Sequence, residues 1–398
     1  MKTDSARLSE IFRAFLFAGL TSFGGPIAHL AYFRAEFVQK RKWLSEADYA
    51  DLVALCQFLP GPASSQVGFA LGLQRGGLLG ACIAWATFTL PAALVLMLFA
   101  LGASELNGLY GEGLIHGLKL VAVAVVAQAV WSMGRTLCPD IQRISIALAA
   151  IATVILLPTA IGQLGAILLG ALSGFLFCRS TNINTLGQLR FPVKRFLATI
   201  CLILFFVLLF GLPVLTNFFP VQTFALFDAF YRTGALVFGG GHVVLPLLEA
   251  RTVATGWVNA DDFLAGYGAA QAIPGPLFTF AAYLGMVMQP EPKGLLGALI
   301  CLMGIFLPGM LLVLGVLPFW DNLRRNPKMQ RIMAGANAAV VGILAAALYH
   351  PLWISAIFSA RDFALACAAF ALLTLGKAAP WKVVIFTAAV SVMAQSLG

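Results

Sequence analysis

Apolar residues fill this chain in long runs, separated by short polar or glycine- and proline-bearing gaps. Runs long enough to cross a bilayer cover 11–33, 48–73, 77–103, 114–134, 143–158, 160–178, 195–215, 225–250, 261–289, 294–317, 330–350, 361–376 and 380–397, thirteen in all. A membrane-spanning helix needs about 20 predominantly apolar residues. Inside lipid, each backbone N–H and C=O must find its partner within the protein, which leaves helices as the way to use such runs. The pattern predicts an all-α, polytopic membrane protein with about 13 apolar segments.

Composition narrows the class. Hydrophobic residues make up 61% of the 398 positions and charged ones 10%, against roughly 45–50% and about 25% in soluble domains. A water-soluble fold is excluded. The 25 Lys and Arg outnumber the 16 Asp and Glu, but no basic block with interleaved aromatics marks a nucleic-acid surface. The excess belongs in cytoplasmic loops. With the N-terminus inside and each run taken as a crossing, seventeen basic residues fall inside and six outside. This favours N-in, C-out, although Lys40, Arg41 and Lys42 then lie on the wrong side. The seven cysteines are scattered without a CxxC, the four histidines are unclustered, and no HExxH, Walker loop or GxSxG elbow occurs. No metal, cofactor or enzyme site is expected.

The chain repeats itself. Phe23-Gly24-Gly25 recurs as Phe238-Gly239-Gly240, Trp43 as Trp257, Asp48 as Asp262, Gln57 as Gln271 and Pro60-Gly61-Pro62 as Pro274-Gly275-Pro276. The pentapeptide GLLGA at 77–81 returns at 294–298, with Pro91 and Pro308 fourteen residues on in each copy. The first apolar run therefore does not end as a cleaved signal, since its closing motif is internal in the second copy. Residues 1–178 form one transporter repeat, 225–398 the other, and 179–224 a linker with one extra apolar segment. Corresponding segments lie an odd number apart, so the halves are expected to be inverted, as in many secondary transporters; re-entrant hairpins at 48–73 and 261–289 would instead leave eleven crossings and parallel repeats.

Pro60 and Pro274 fall inside apolar runs, where proline removes a donor and clashes with the preceding turn. Broken helices are predicted at both places. Each break creates a half-helix N-terminus whose free N–H groups favour an anion, with Ser64, Ser65 and Gln66 after the first, Thr279 after the second, and Gln57 and Gln271 three residues before them. The plainer alternative is a kink repacked by neighbouring helices. Gly24, Gly25, Gly239 and Gly240 let a ligand or another helix approach closely. His29 and His242 read as packing residues. Arg34 and Glu36 align with Glu249 and Arg251 with signs exchanged, as salt bridges at span ends or as gating pairs. Ser45 with Asp48, and Asn259 with Asp262, read as helix caps.

Phe-Gly-Gly, a Trp some twenty residues later and Gln-x-x-Pro-Gly-Pro, present in both halves, resemble the long-chain chromate ion transporter family over nearly the whole chain. The resemblance implies a multi-pass protein of the bacterial inner membrane that exports chromate, with sulfate as the similar competing anion. It carries over Gly24, Gly25, Gln57, Pro60, Gly61 and Pro62, and Gly239, Gly240, Gln271, Pro274, Gly275 and Pro276, as motif positions. Gly241 stands where the first half has Pro26. Membrane lipid is the expected surrounding, and a homodimer is one assembly this architecture allows. A carrier for sulfate or another anion, and a membrane-embedded enzyme or assembly subunit, are the alternatives.

Overall fold

The computed structural model describes residues 4–103, 109–179, 191–238, 241–289 and 291–396. Among them every regular element is helical. The first half comprises α1 (Asp4–Thr21), α2 (Gly25–Phe33, prolonged by a π-helical stretch Arg34–Lys40), α3 (Glu46–Phe58), α4 (Ala63–Ala103), α5 (Leu109–Leu137), α6 (Ile141–Leu156) and α7 (Ala160–Phe177), followed by α8 (Arg195–Phe218). The second comprises α9 (Gln222–Leu236), α10 (Val244–Thr252), α11 (Ala260–Ala272), α12 (Phe280–Val287), α13 (Gly294–Val316), α14 (Trp320–Arg324), α15 (Pro327–Ala347), α16 (Ile354–Ala356), α17 (Ala360–Thr374) and α18 (Pro380–Ser396). Among the described residues, five stretches are long and apolar enough to cross a membrane: Ala63–Gly102, Gly111–Leu137, Arg195–Phe218, Gly294–Arg324 and Pro327–Ala356. This is a multi-pass membrane protein.

The predicted caps form. Ser45 Oγ accepts from Asp48 N at 3.1 Å and Asn259 Oδ1 from Asp262 N at 2.7 Å. Each satisfies one of the N–H groups that a helix start leaves open.

Reading each apolar run as a crossing is corrected in four places, where the run folds back on itself. Phe15 of α1 stacks on Phe37 with ring centres 4.7 Å apart and meets Phe33 edge-on at 5.7 Å. The chain has thus reversed at Ser22–Gly24. Glu10, near the start of α1, pairs with Arg41 at 3.7 Å and with Arg75 at 3.0 Å. The α1–α2 hairpin and the following α3–α4 hairpin therefore begin and end at the same face. The long α4 is itself two arms, 63–75 and 78–103, since Gly76 and Gly77 leave helical geometry and Gly77 has φ +62°. A Cβ on Gly72 would strike the Gly80 carbonyl, so the arms lie side by side. The second half repeats this. Tyr283 Oη donates to Asp262 O at 3.1 Å and Gln289 N to Trp257 O at 2.8 Å, closing the α11–α12 hairpin.

These hairpins open in opposite directions. Asp51 of α3 pairs with Arg324 of α14, which fixes the end of α13 at the face where Glu10 lies. Lys119, early in α5, pairs with Asp261 at the start of α11. Because the second arm of α4 has crossed to reach α5, the α11–α12 hairpin opens at the other face. The repeats are inverted, with the N-terminal helix at one face and the end of α18 at the other.

The reversal at Ser22–Gly24 also removes the charge contradiction. Lys40, Arg41 and Lys42 return to the face that carries Arg7, Arg75, Arg143, Arg324, Arg325 and Lys328. On the opposite side lie Lys119, Arg232, Arg251, Lys293 and Arg361, whereas the α17–α18 turn with Lys377 and Lys382 lies away from that face, beside the first glycine tip, with the Phe23 and Trp381 ring centres 5.9 Å apart. Basic residues concentrate in cytoplasmic loops, so the first face is the cytoplasmic one. Lipid-facing aromatics cover α8, where Phe196, Phe210 and Phe218 are exposed.

Candidate functional site where four hairpin tips meet

Both glycines of the Pro-Gly-Pro breaks need backbone conformations open chiefly to glycine, with φ +121° at Gly61 and +113° at Gly275. Their N–H groups cross to the other repeat. Gly61 N donates to Val237 O at 2.7 Å and Gly275 N to Ser22 O at 3.0 Å. Ser22 and Val237 occupy the same place in the two repeats, directly before Phe23 and Phe238. Each proline-broken tip is therefore held by the glycine-rich tip of the opposite half.

The symmetry extends further. A Cβ on Gly61 would lie 3.2 Å from Gly309 Cα, and one on Gly275 2.9 Å from Ala92 Cβ. Gly309 and Ala92 follow Pro308 and Pro91, the matched prolines of α13 and of the second arm of α4. Gly241 faces Pro26, its own counterpart, with 3.2 Å between a would-be Cβ and Pro26 Cγ. The pseudo-twofold axis thus passes between Pro26 and Gly241, and all four tips converge on it. Gly24 and Gly25 form the first glycine tip with φ +104° and +75°; Gly239 and Gly240 lie outside the described residues.

These bonds change which groups remain for a ligand. The Gly61 and Gly275 N–H groups are already engaged. Ser64 is engaged too: His29 Nε2 lies 3.0 Å from Ser22 O and Nδ1 3.3 Å from Ser64 Oγ. A carbonyl can only accept, so Nε2 carries the proton and Nδ1 takes the Ser64 hydrogen. His29 is a neutral packing residue that braces two tips. Thr279 Oγ1 donates back to Pro276 O at 2.7 Å. Gln66 Nε2 donates to Pro60 O at 2.8 Å and to Gly309 O at 3.3 Å.

Three donors are left beside the tips. Ser22 Oγ and Ser65 Oγ, on residues 0% and 4% exposed, have no hydrogen-bond partner within the protein, and Gln271 Nε2, next to the Tyr267 hydroxyl, makes no well-aligned bond. Leaving a buried polar group unpaired costs about 1–3 kcal/mol, so these are the donors at the tips that are open to a ligand. The first N–H groups after Pro62 point the same way, because a helix start leaves them without intrahelical acceptors. The two glutamines part company: Gln57 is exposed, whereas Gln271 is half-buried beside Tyr267, whose hydroxyl meets His242 Nδ1 at 2.8 Å. Two further unpaired donors, Trp85 Nε1 and Thr89 Oγ1, lie on the second arm of α4. Sequence reading missed Ser22, Trp85 and Thr89, which carry no motif.

The paired charges are placed otherwise than the alignment implied. Arg34 bonds Glu46 at 2.8 Å, and Glu36 bonds Arg41 at 2.6 Å and Lys40 at 3.2 Å. Arg34 does not pair with Glu36. The Arg34–Glu46 bridge lines an open groove of about 570 Å³ between α2 and α3, together with Leu30, Tyr49 and Val53. Among the described residues, no three His, Cys, Asp or Glu side chains converge as a metal site.

The profile of the family described as "Chromate transporter" matches residues 9–175 and 224–392, one repeat each. The chain belongs to the chromate transporter family. It is 29% identical to the "Probable chromate transport protein" of Synechococcus elongatus over 352 residues, 86% of this chain and 84% of the relative. It is 28% identical to the "Chromate transport protein" of Pseudomonas aeruginosa over 358 residues, 85% and 79% of the two. An uncharacterized transporter of Methanocaldococcus jannaschii is 25% identical over 349 residues, 87% and 84%. No solved structure matches the chain. The two matched segments span both Pro-Gly-Pro breaks and the residues whose carbonyls Gly61 and Gly275 bond, Val237 and Ser22.

Proposed function

We propose that this protein exports chromate across the bacterial inner membrane, holding the dianion between the four hairpin tips by neutral donors. The observation that carries the reading is the set of buried, unpaired donors at the tips, Ser22 and Ser65 hydroxyls and the Gln271 amide. Tetraoxyanions present acceptors on every side, and charge-assisted hydrogen bonds to them are about twice as strong as neutral ones. Buried cations would bind such an anion too firmly for release. Among the described residues, the buried Lys and Arg are Lys119 and Arg324, and both lie near the membrane faces.

Motif positions Gly24, Gly25, Pro60, Gly61, Pro62, Gly239, Gly240, Pro274, Gly275 and Pro276 serve as the scaffold, and Ser22, Ser65 and Gln271 as the ligand's donors. Ser64 and Gln57 act from outside that set. The working unit is the pair of repeats 1–178 and 225–398, with 179–224 as the linker that inverts the second.

Membrane potential suffices as the driving force. Moving one charge through 100 mV is worth about 2.3 kcal/mol. A dianion leaving a negative interior gains roughly 4.6 kcal/mol, a gradient of about 10³. Purified protein in liposomes, with potassium diffusion potentials imposed, tests this. Chromate flux that follows the potential and exceeds phosphate flux is the expected result. Sulfate faster than chromate would reassign the anion. No flux of any of the three under potential would overturn the carrier reading.

A further inference from the structure

Among the described residues, two pairs of opposite fixed charge join the repeats, one at each face, and His116 and Asp362 meet at 2.8 Å near the outer one. At the cytoplasmic face, Asp51 of α3 accepts from Arg324 Nη1 at 2.7 Å and from Trp320 Nε1 at 3.0 Å. At the outer face, Asp261 of α11 accepts from Lys119 Nζ of α5 at 2.5 Å. The helices α3 and α11 are the opening arms of the two proline-broken hairpins. Each is therefore tethered by an aspartate in its outer portion to a base of the opposite repeat. Such tethers lie between the tips and the water on their own side.

We infer that Asp51–Arg324 and Lys119–Asp261 are the inner and outer locks of transport, closed together in this structure and opening one at a time. The inference rests on the proposed carrier function and adds the groups that decide which side the tips face. Cross-repeat bonds at the tips themselves, Gly61 to Val237 and Gly275 to Ser22, hold the centre shut. Opening either side requires its hairpin to swing away from the other repeat, and the ion pair is what such a swing must break.

The locks are unequal. Asp51 and Arg324 side chains are 0% and 6% exposed, and Asp51 Oδ2 has no partner. Arg324 is also held by Asp321 Oδ1 at 2.5 Å. The outer pair combines a buried Lys119, side chain 10% exposed, with an Asp261 that is 69% exposed. Water competes for an exposed carboxylate, and such pairs are weak, whereas removing one partner of a buried pair leaves a charge stranded. The outer lock therefore yields first, and the empty carrier rests closed to the cytoplasm.

The experiment places one reporter, Ser65→Cys, in a chain whose seven native cysteines are replaced by serine or alanine. A membrane-impermeant thiol reagent is applied to right-side-out and to inside-out vesicles. Lys119→Gln or Asp261→Asn should speed labelling from outside by about tenfold or more, the factor carried by 1.4 kcal/mol. Asp51→Asn or Arg324→Gln should speed it from inside. The outer charge exchange, Lys119→Asp with Asp261→Lys, should restore slow labelling. Unchanged labelling from both sides in correctly inserted variants would overturn the inference, as would both pairs acting on the same side. If the buried Asp51 variants fail to insert, the Lys119–Asp261 arm with its charge exchange decides alone. Labelling needs no substrate, so a result against the locks leaves the anion assignment standing.

Discussion

Alanine in place of Gly61 probes the interlocked tips most directly. The native φ of +121° is one that an L side chain holds only at about 1–3 kcal/mol. The added Cβ would stand 2.8 Å from Gln66 Nε2 and 3.2 Å from Gly309 Cα. The backbone cannot yield easily, so the Gln66 amide must turn away. It then gives up its bonds to Pro60 O and Gly309 O, at about 1 kcal/mol each. Together the load is about 3 kcal/mol or more, roughly a hundredfold in the population of the closed tips. It falls on the tips and leaves the crossing helices packed, since local opening needs less than global unfolding. Chromate flux per reconstituted molecule should drop roughly a hundredfold while membrane insertion and melting in detergent change little. Gly77→Ala is the control, because Gly77 also has positive φ but meets no atom within 4 Å. A Gly61→Ala protein that transports at the unaltered rate would refute the interlocked-tip account.

Other outcomes follow from the same geometry. Gln271→Ala should raise the half-saturating chromate concentration by roughly fivefold, for one lost hydrogen bond of about 1 kcal/mol, and Gln57→Ala should leave it nearly unchanged; equilibrium flux titrations compare the two. Single cysteines next to Lys42 and Arg75 should label from the cytoplasmic side and one next to Lys293 from the outside, measured with impermeant reagents on oriented vesicles. Collapsing the pH gradient while the potential is clamped should leave efflux intact, read by chromate absorbance; loss of efflux would implicate a coupled proton. His29→Ala should lower the melting temperature by several degrees, as removing a buried hydrogen-bonding group costs about 1–3 kcal/mol.

Much of this fold is legible in the sequence because membrane insertion writes itself into hydropathy and duplication into motif spacing. The matched Pro-Gly-Pro breaks and the two helix caps follow from residue types alone, whereas the inversion rests on a count of crossings that the folded-back runs revise, and it holds because two runs drop out of each half. Chain reversal within an apolar run does not. A glycine tip between two short apolar helices gives the same hydropathy as one continuous span, and only the misplaced Lys40, Arg41 and Lys42 betrayed the turn at Ser22–Gly24. Asp51 escaped notice because its partner is Arg324, far along the chain in the other repeat. Alignment of Gln57 with Gln271 gave equal weight to residues that the fold places in different surroundings, one exposed and one half-buried.

The bond from Gly61 N–H to Val237 O sets a schedule for biosynthesis. The donor lies 176 residues ahead of its acceptor, and at 5–20 residues per second the ribosome needs roughly 9–35 s to make the difference. Were the first proline-broken tip to enter hydrocarbon within that interval, its glycine donor would stand unanswered, a state penalised by several kcal/mol. The nascent first half must wait in water or against the insertion machinery. Slowing elongation between the repeats should therefore lengthen its exposure to membrane proteases.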